Sequence, residues 1–151
     1  MSVLPGSAQS GPVSSHIQAV LVLVGAGHLS LAQDDIVIGK ARKQCDRLNA
    51  HLMHKARGGN DVSYLASPVT GGGIAVSRFE QLFLLALSQG RKQPSEWAQF
   101  IWGILSMQGQ RIMKEGKTLE SAEENLVELT AQAQTFAEKR LPIMKVLQIA
   151  A

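Results

Sequence analysis

The tetrapeptide Ser77-Arg78-Phe79-Glu80 has the pattern of a capping box, in which a serine hydroxyl accepts from the third amide and a glutamate reaches back to the serine N–H. The helix it opens, "RFEQLFLLALSQG", is apolar around most of its circumference. Such a helix is stable only when other elements cover it on several sides, so it belongs at the centre of a core. Ser121-Ala122-Glu123-Glu124 is a second capping box, and its helix carries Leu126, Leu129, Ala133, Phe136 and Arg140 as far as Leu141. Between the two, Pro94 or Ser95 starts a helix with Trp97, Phe100, Ile101, Ile104, Leu105, Gln108 and Ile112 at helical spacing, running to Gly116. Pro142 then breaks the chain and starts a short closing helix, "PIMKVLQI".

The segments before Ser77 are more mixed. Ser63 to Val69 reads as extended, Thr70 to Gly73 as a turn and Ile74 to Val76 as a returning strand, a small hairpin that Pro68 confines to an edge or ends. Lys40 to Arg57 reads as a helix ended by Gly58-Gly59. At 100° per residue, Ala41, Cys45, Leu48, Asn49, Leu52 and Ala56 share one stripe of it, and Lys43, Arg47, His51 and His54 lie opposite. Asp34 to Gly39 is short and reads as extended. His16 to Val24 fits either a helix, with Ser14 or Ser15 as cap and Gly25 or Gly27 as terminator, or a strand rich in β-branched valine. Structure is expected from near Ser15, with residues 1–15 a flexible tail or linker and 16–151 one domain.

With 151 residues, 45% of them hydrophobic, the chain can bury a core without disulfides. A single cysteine, Cys45, excludes an internal disulfide framework and suits a reducing compartment. The apolar run Ala19 to Ala26 is too short to span a bilayer, and the first sixteen residues hold no Lys or Arg, so a signal peptide lacks its charged start. These features point to a cytoplasmic protein without membrane contact. The formal charge of +3 is local: Lys40, Arg42, Lys43, Arg47, Lys55 and Arg57 face Asp46 alone within one segment.

Neither glycine-rich stretch builds a nucleotide site. Only eight residues separate Gly27 from Ile36, too few for the crossover helix of a dinucleotide-binding unit. Thr70-Gly71-Gly72-Gly73 lacks the Lys-Ser/Thr that would grip phosphate, and reads as a tight turn. His51 and His54 share a face with no carboxylate beside them, which argues against zinc, and Cys45 on the apolar stripe is expected to be buried and inert. Trp97 and Trp102 lie 140° apart on one helix, so one of them is free to cover a partner.

"LASPVTGGGIAVSRFEQLFLLAL" (65–87), "QGQRIMKEGKTLESAEENLVEL" (108–129) and "AEKRLPIMKVLQI" (137–149) together resemble the C-terminal domain of bacterial S-adenosylmethionine-dependent methyltransferases that carry a methyltransferase regulatory domain. That group includes the protein-lysine methyltransferases of rickettsiae. "CDRLNAHLMHKA" (45–56) is similar to the helix preceding that block, and the resemblance runs from about Ile17 to the C-terminus. Ser121-Ala122 stands where the family often has Thr-Pro, which keeps the capping hydroxyl and loses only a helix-starting proline. The resemblance implies a mainly α, winged-helix-like domain with a small β-hairpin, and places methyl transfer in a separate Rossmann-type domain. The expected function is a non-catalytic accessory part of a methyltransferase, with no cofactor or metal of its own. Its partner is the catalytic domain, a protein or a second copy, and its candidate contact face is Lys43, Arg47, His51, His54 and Trp97. The alternative is a winged-helix nucleic-acid binder using Lys43, Arg47, His51 and Lys55.

Overall fold

Both capping boxes are formed. The Glu80 N–H donates to Ser77 Oγ at 3.3 Å while the Ser77 N–H donates to Glu80 Oε2 at 2.7 Å. At the second box the Glu124 N–H donates to Ser121 Oγ at 3.1 Å and the Ser121 N–H to Glu124 Oε2 at 3.0 Å. In the computed structural model, which describes residues 12–26, 28–29 and 31–150, the elements are α1 (Pro12–Gly25), α2 (Asp35–Lys55), β1 (Tyr64–Ser67), β2 (Gly72–Ala75), α3 (Arg78–Ser88) and α4 (Pro94–Met107). They continue with β3 (Met113–Lys114), β4 (Lys117–Thr118), α5 (Ala122–Thr135), a π-helical turn (Phe136–Arg140) and α6 (Leu141–Val146). The fold is mainly α with small antiparallel hairpins, β1 with β2 and β3 with β4. The contacts divide the chain into two units, up to Ala32 and from Gln33. All the strands and the core of the domain expected over 16–151 lie in the second unit.

As its sequence demands, α3 runs through that core: Leu82, Phe83, Leu84, Leu85 and Ala86 are all buried. Phe83 stacks against Trp97 of α4 and Phe136 of the π-turn, with ring centroids 6.2 and 5.4 Å away, and Trp97 meets Phe136 edge-on at 6.2 Å. Aromatic groups of this size supply the largest apolar areas in a core, and tilted or edge-on pairing suits their quadrupoles. A further cap opens α4, where the Glu96 carboxylate accepts from the N–H groups of Lys92 and Gln93, both at 2.8 Å.

Three buried amide side chains tie the hairpins to helices. Asn49 of α2 pairs with Ala66 of β1 through both of its polar atoms. Gln81 of α3 donates to the carbonyls of Val62 and Val76, at the open end of the first hairpin. Asn125 of α5 accepts from the Ile112 N–H and donates to the carbonyls of Leu119 and Ser121, closing the base of the second. Each replaces with a side chain the partner that a longer strand would have supplied, so four-residue and two-residue strands can sit against a core.

Several expectations are corrected. Of Asp34 to Gly39 only Asp34, the N-cap, is extended: α2 begins at Asp35 and runs unbroken into the Lys40 to Lys55 stretch. The first run is a helix, and it starts at Pro12, ahead of Ser14 and Ser15, where proline suits the first helical position. It closes with the His28 N–H donating to the Leu23 carbonyl at 2.8 Å; Gly27 lies outside the described residues, as do residues 1–11 of the expected tail. α4 stops at Met107, not Gly116. Gly109, Glu115 and Gly116 take positive φ, and the last two form the turn of the second hairpin. The short closing helix forms as α6 with Pro142 in its first turn, but the chain does not break before it. The N–H of Leu141 reaches back five residues to the Phe136 carbonyl, and this wider turn carries the helix past a proline that has no N–H to give. The first hairpin forms with Pro68 ending β1, but its turn lies at residues 68–71 and not at Thr70–Gly73, and the return strand starts at Gly72 and not at Ile74.

Candidate functional site

The basic face of α2 is built as its periodicity implies. Asn49 and Met53 are buried, while Lys43, Arg47, His51 and His54 are exposed and make no ion pair among the described residues. Neighbouring cations are partly neutralised: Arg42 sits 4.0 Å from Asp46, and Lys55 3.6 Å from Asp61. The stripe opposite is less complete than its spacing suggests, since Leu48 is half exposed and Cys45 only half-buried. No three His, Cys, Asp or Glu side chains converge among the described residues.

Trp97 does not belong to this face. It is 2% exposed, stacked in the core, and its indole N–H donates to the Arg91 carbonyl at 2.8 Å. The angular argument for two tryptophan faces holds, but the core takes Trp97. Trp102 is the half-buried one, with the Arg111 guanidinium 5.5 Å from its ring centre.

Among the clefts lined by the described residues, two that border the core were not legible as sites. The first, of about 450 Å³, has Phe79, Phe83 and Phe136 in its walls and two ion pairs beside them. Arg140 Nε donates to Glu80 Oε1 at 2.9 Å, and Lys114 Nζ to Glu128 Oε2 at 2.6 Å. Burial works against the charge on Glu80, yet the Ser77 N–H and the Arg140 guanidinium outweigh it and hold the carboxyl below its ordinary range. Glu128 is held low by Lys114 and then by Gln132, and Lys114 is raised in turn by Glu128. Lys114 arrives on the unforeseen second hairpin and Arg140 on the unforeseen π-turn, so no local pattern announced the cluster. Each charge here already has a partner, and the Ser77 hydroxyl beside Glu80 is engaged in the helix cap; the ion pairs staple α3 to the π-turn and the second hairpin to α5.

The second cleft, about 440 Å³, lies between α2, α3 and the C-terminal residues, and brings Asp46 and His54 to one opening above Met53, Leu84 and Ile149. The glycine stretch at 70–73 is only half a turn: the turn spans residues 68–71 and Gly72 and Gly73 pair in β2, while Gly71 has φ +70 and a Cβ there would meet the Gln33 amide at 2.9 Å. Among the described residues no helix is long and apolar enough to cross a membrane.

No protein-family model matches the chain, and no solved structure matches it. It is similar to the uncharacterized protein sll1526 of Synechocystis sp. (strain PCC 6803), with 39% identity over 137 residues. The match covers 91% of this chain and 26% of that protein, so the chain spans about a quarter of the length of its curated relative.

Proposed function

We propose that this chain is a non-catalytic accessory domain of a bacterial, cytoplasmic S-adenosylmethionine-dependent methyltransferase, winged-helix-like in arrangement, which positions the catalytic domain, a partner subunit or a protein substrate. The observation that carries the reading is the match of nearly the whole chain to a quarter of a longer bacterial protein, as expected of a module that works beside other domains. The charged groups of the first cleft support it, because they pair with each other instead of converging on a reacting atom.

Calorimetry with S-adenosylmethionine and the chain alone should show no binding, and the chain should co-purify with a methyltransferase core. Micromolar cofactor binding by the chain alone removes the reading. A second reading, nucleic-acid binding, draws on the exposed stripe Lys43, Arg47 and His51 continued by Lys55. It requires duplex affinity that falls steeply with salt and is lost in Lys43→Glu/Arg47→Glu.

A further inference from the structure

Within the first unit most apolar side chains of α1 are exposed: Ile17 and Val20 are about half exposed, Leu21 is 65% and Val22 69% exposed, and Val24 alone is half-buried. Successive helical positions lie about 100° apart, so Val20, Leu21, Val22 and Leu23 point in every direction around the axis. Ser14, Ser15, His16 and Gln18 confine the polar content to the first half, and α1 carries no Asp, Glu, Lys or Arg. Scattered exposed hydrophobes are ordinary, but a contiguous set marks an interaction surface. A helix this short is also marginal in water on its own.

The chemistry of α1 selects among occupants. Nucleic acid needs cations, and α1 has none. A helix lying in a bilayer surface needs a polar, usually basic face along its length. At 1.5 Å per residue, α1 reaches about 21 Å, short of the roughly 30 Å hydrocarbon core. What remains is a protein surface, apolar and uncharged, that encloses the helix on more than one side. The match to the Synechocystis protein leaves out 14 of the 151 residues, so it reaches into α1, and about three quarters of that protein lies beyond it.

We propose that α1 is a docking helix that seats in an apolar groove of the larger protein partner. This rests on the accessory-domain reading, but not on that partner's chemistry being methyl transfer.

The test is hydrogen exchange read by mass spectrometry on this chain alone and on the full-length Synechocystis protein with its matching quarter replaced by this chain. The amides of α1 should exchange about 100-fold more slowly in the chimera. Leu21→Lys/Val22→Lys should abolish that protection while leaving α3 to α5 protected in both proteins. Equal exchange of α1 in both proteins overturns the proposal, and so does fast exchange in the matching segment of the native Synechocystis protein, which needs no chimera to fold. Protection of the chain alone with a doubled mass in sedimentation, or only on adding phosphatidylglycerol vesicles, also overturns it. Calorimetry of the chimera with S-adenosylmethionine reports separately: absence of binding with α1 protected removes the methyltransferase reading and leaves the docking helix standing.

Discussion

Asn49 holds both backbone polar groups of Ala66: its Nδ2 donates to the Ala66 carbonyl at 2.8 Å, and the Ala66 N–H donates to its Oδ1 at 2.7 Å. The side chain is 1% exposed, so neither group has water as a substitute. Asn49→Leu, close in volume, should therefore destabilise the chain by about 2–4 kcal/mol, from one orphaned donor and one orphaned acceptor. Urea unfolding followed by circular dichroism measures this. A midpoint unchanged from wild type would mean that α2 does not cover the β1 edge.

The two tryptophans should separate cleanly. Trp97→Ala empties the centre of the aromatic cluster and leaves the Arg91 carbonyl without its donor, which should cost about 3–5 kcal/mol. Trp102→Ala should cost clearly less, since that ring is only half-buried. Emission spectra of Trp97→Phe and Trp102→Phe provide a second check: the protein retaining Trp97 should emit at shorter wavelength than the one retaining Trp102.

Acid should loosen the first cleft. The carboxyl of Glu80 is held below its ordinary value in the folded chain, so its contribution to stability is fully present above the unfolded pKa, about 4.3. It is lost as pH falls through the lower folded value. Wild type should thus lose stability between about pH 5 and pH 3 more steeply than Glu80→Gln. Thermal unfolding across that range measures the difference, and parallel slopes for the two proteins would sink the assignment.

At Gly71 the backbone has φ +70 and an added Cβ would press on the Gln33 amide, whereas Gly72 has open space at its Cβ position and no positive φ. Gly71→Ala should cost about 1–2 kcal/mol, and Gly72→Ala clearly less. Equal losses in thermal unfolding would contradict the turn geometry.

What could be read in advance follows from the range of the interactions. Both serine capping boxes and the buried α3 were legible, because a cap is decided within four residues and an apolar circumference within three turns. The basic face of α2 was legible for the same reason. The second hairpin was not: Met113 to Thr118 has no β-branched alternation, and its strands depend on Asn125, whose partners Ile112 and Leu119 lie six to thirteen residues away. The exposure of Lys43, Arg47, His51 and His54 was legible because it rests on one helix; that of Trp97 was misread, because its burial is set by Phe83 and Phe136, distant in sequence. The clefts draw Glu80 to Arg140 across sixty positions, and nothing local predicts such a meeting.

The wide turn at Phe136–Arg140 also fixes how this region can change length. It holds one residue more than an α-helical path would need, and the wider turn takes up that surplus locally, so α6 keeps the phase of α5. Deleting Glu138 would let the hydrogen bonding revert to the α-helical pattern with α6 still in phase, so the fully buried Met144 should stay in the core. Loss of a single residue here would be absorbed within the turn itself, so related sequences can be one residue shorter between Leu129 and Met144 and still bury both ends of that stretch.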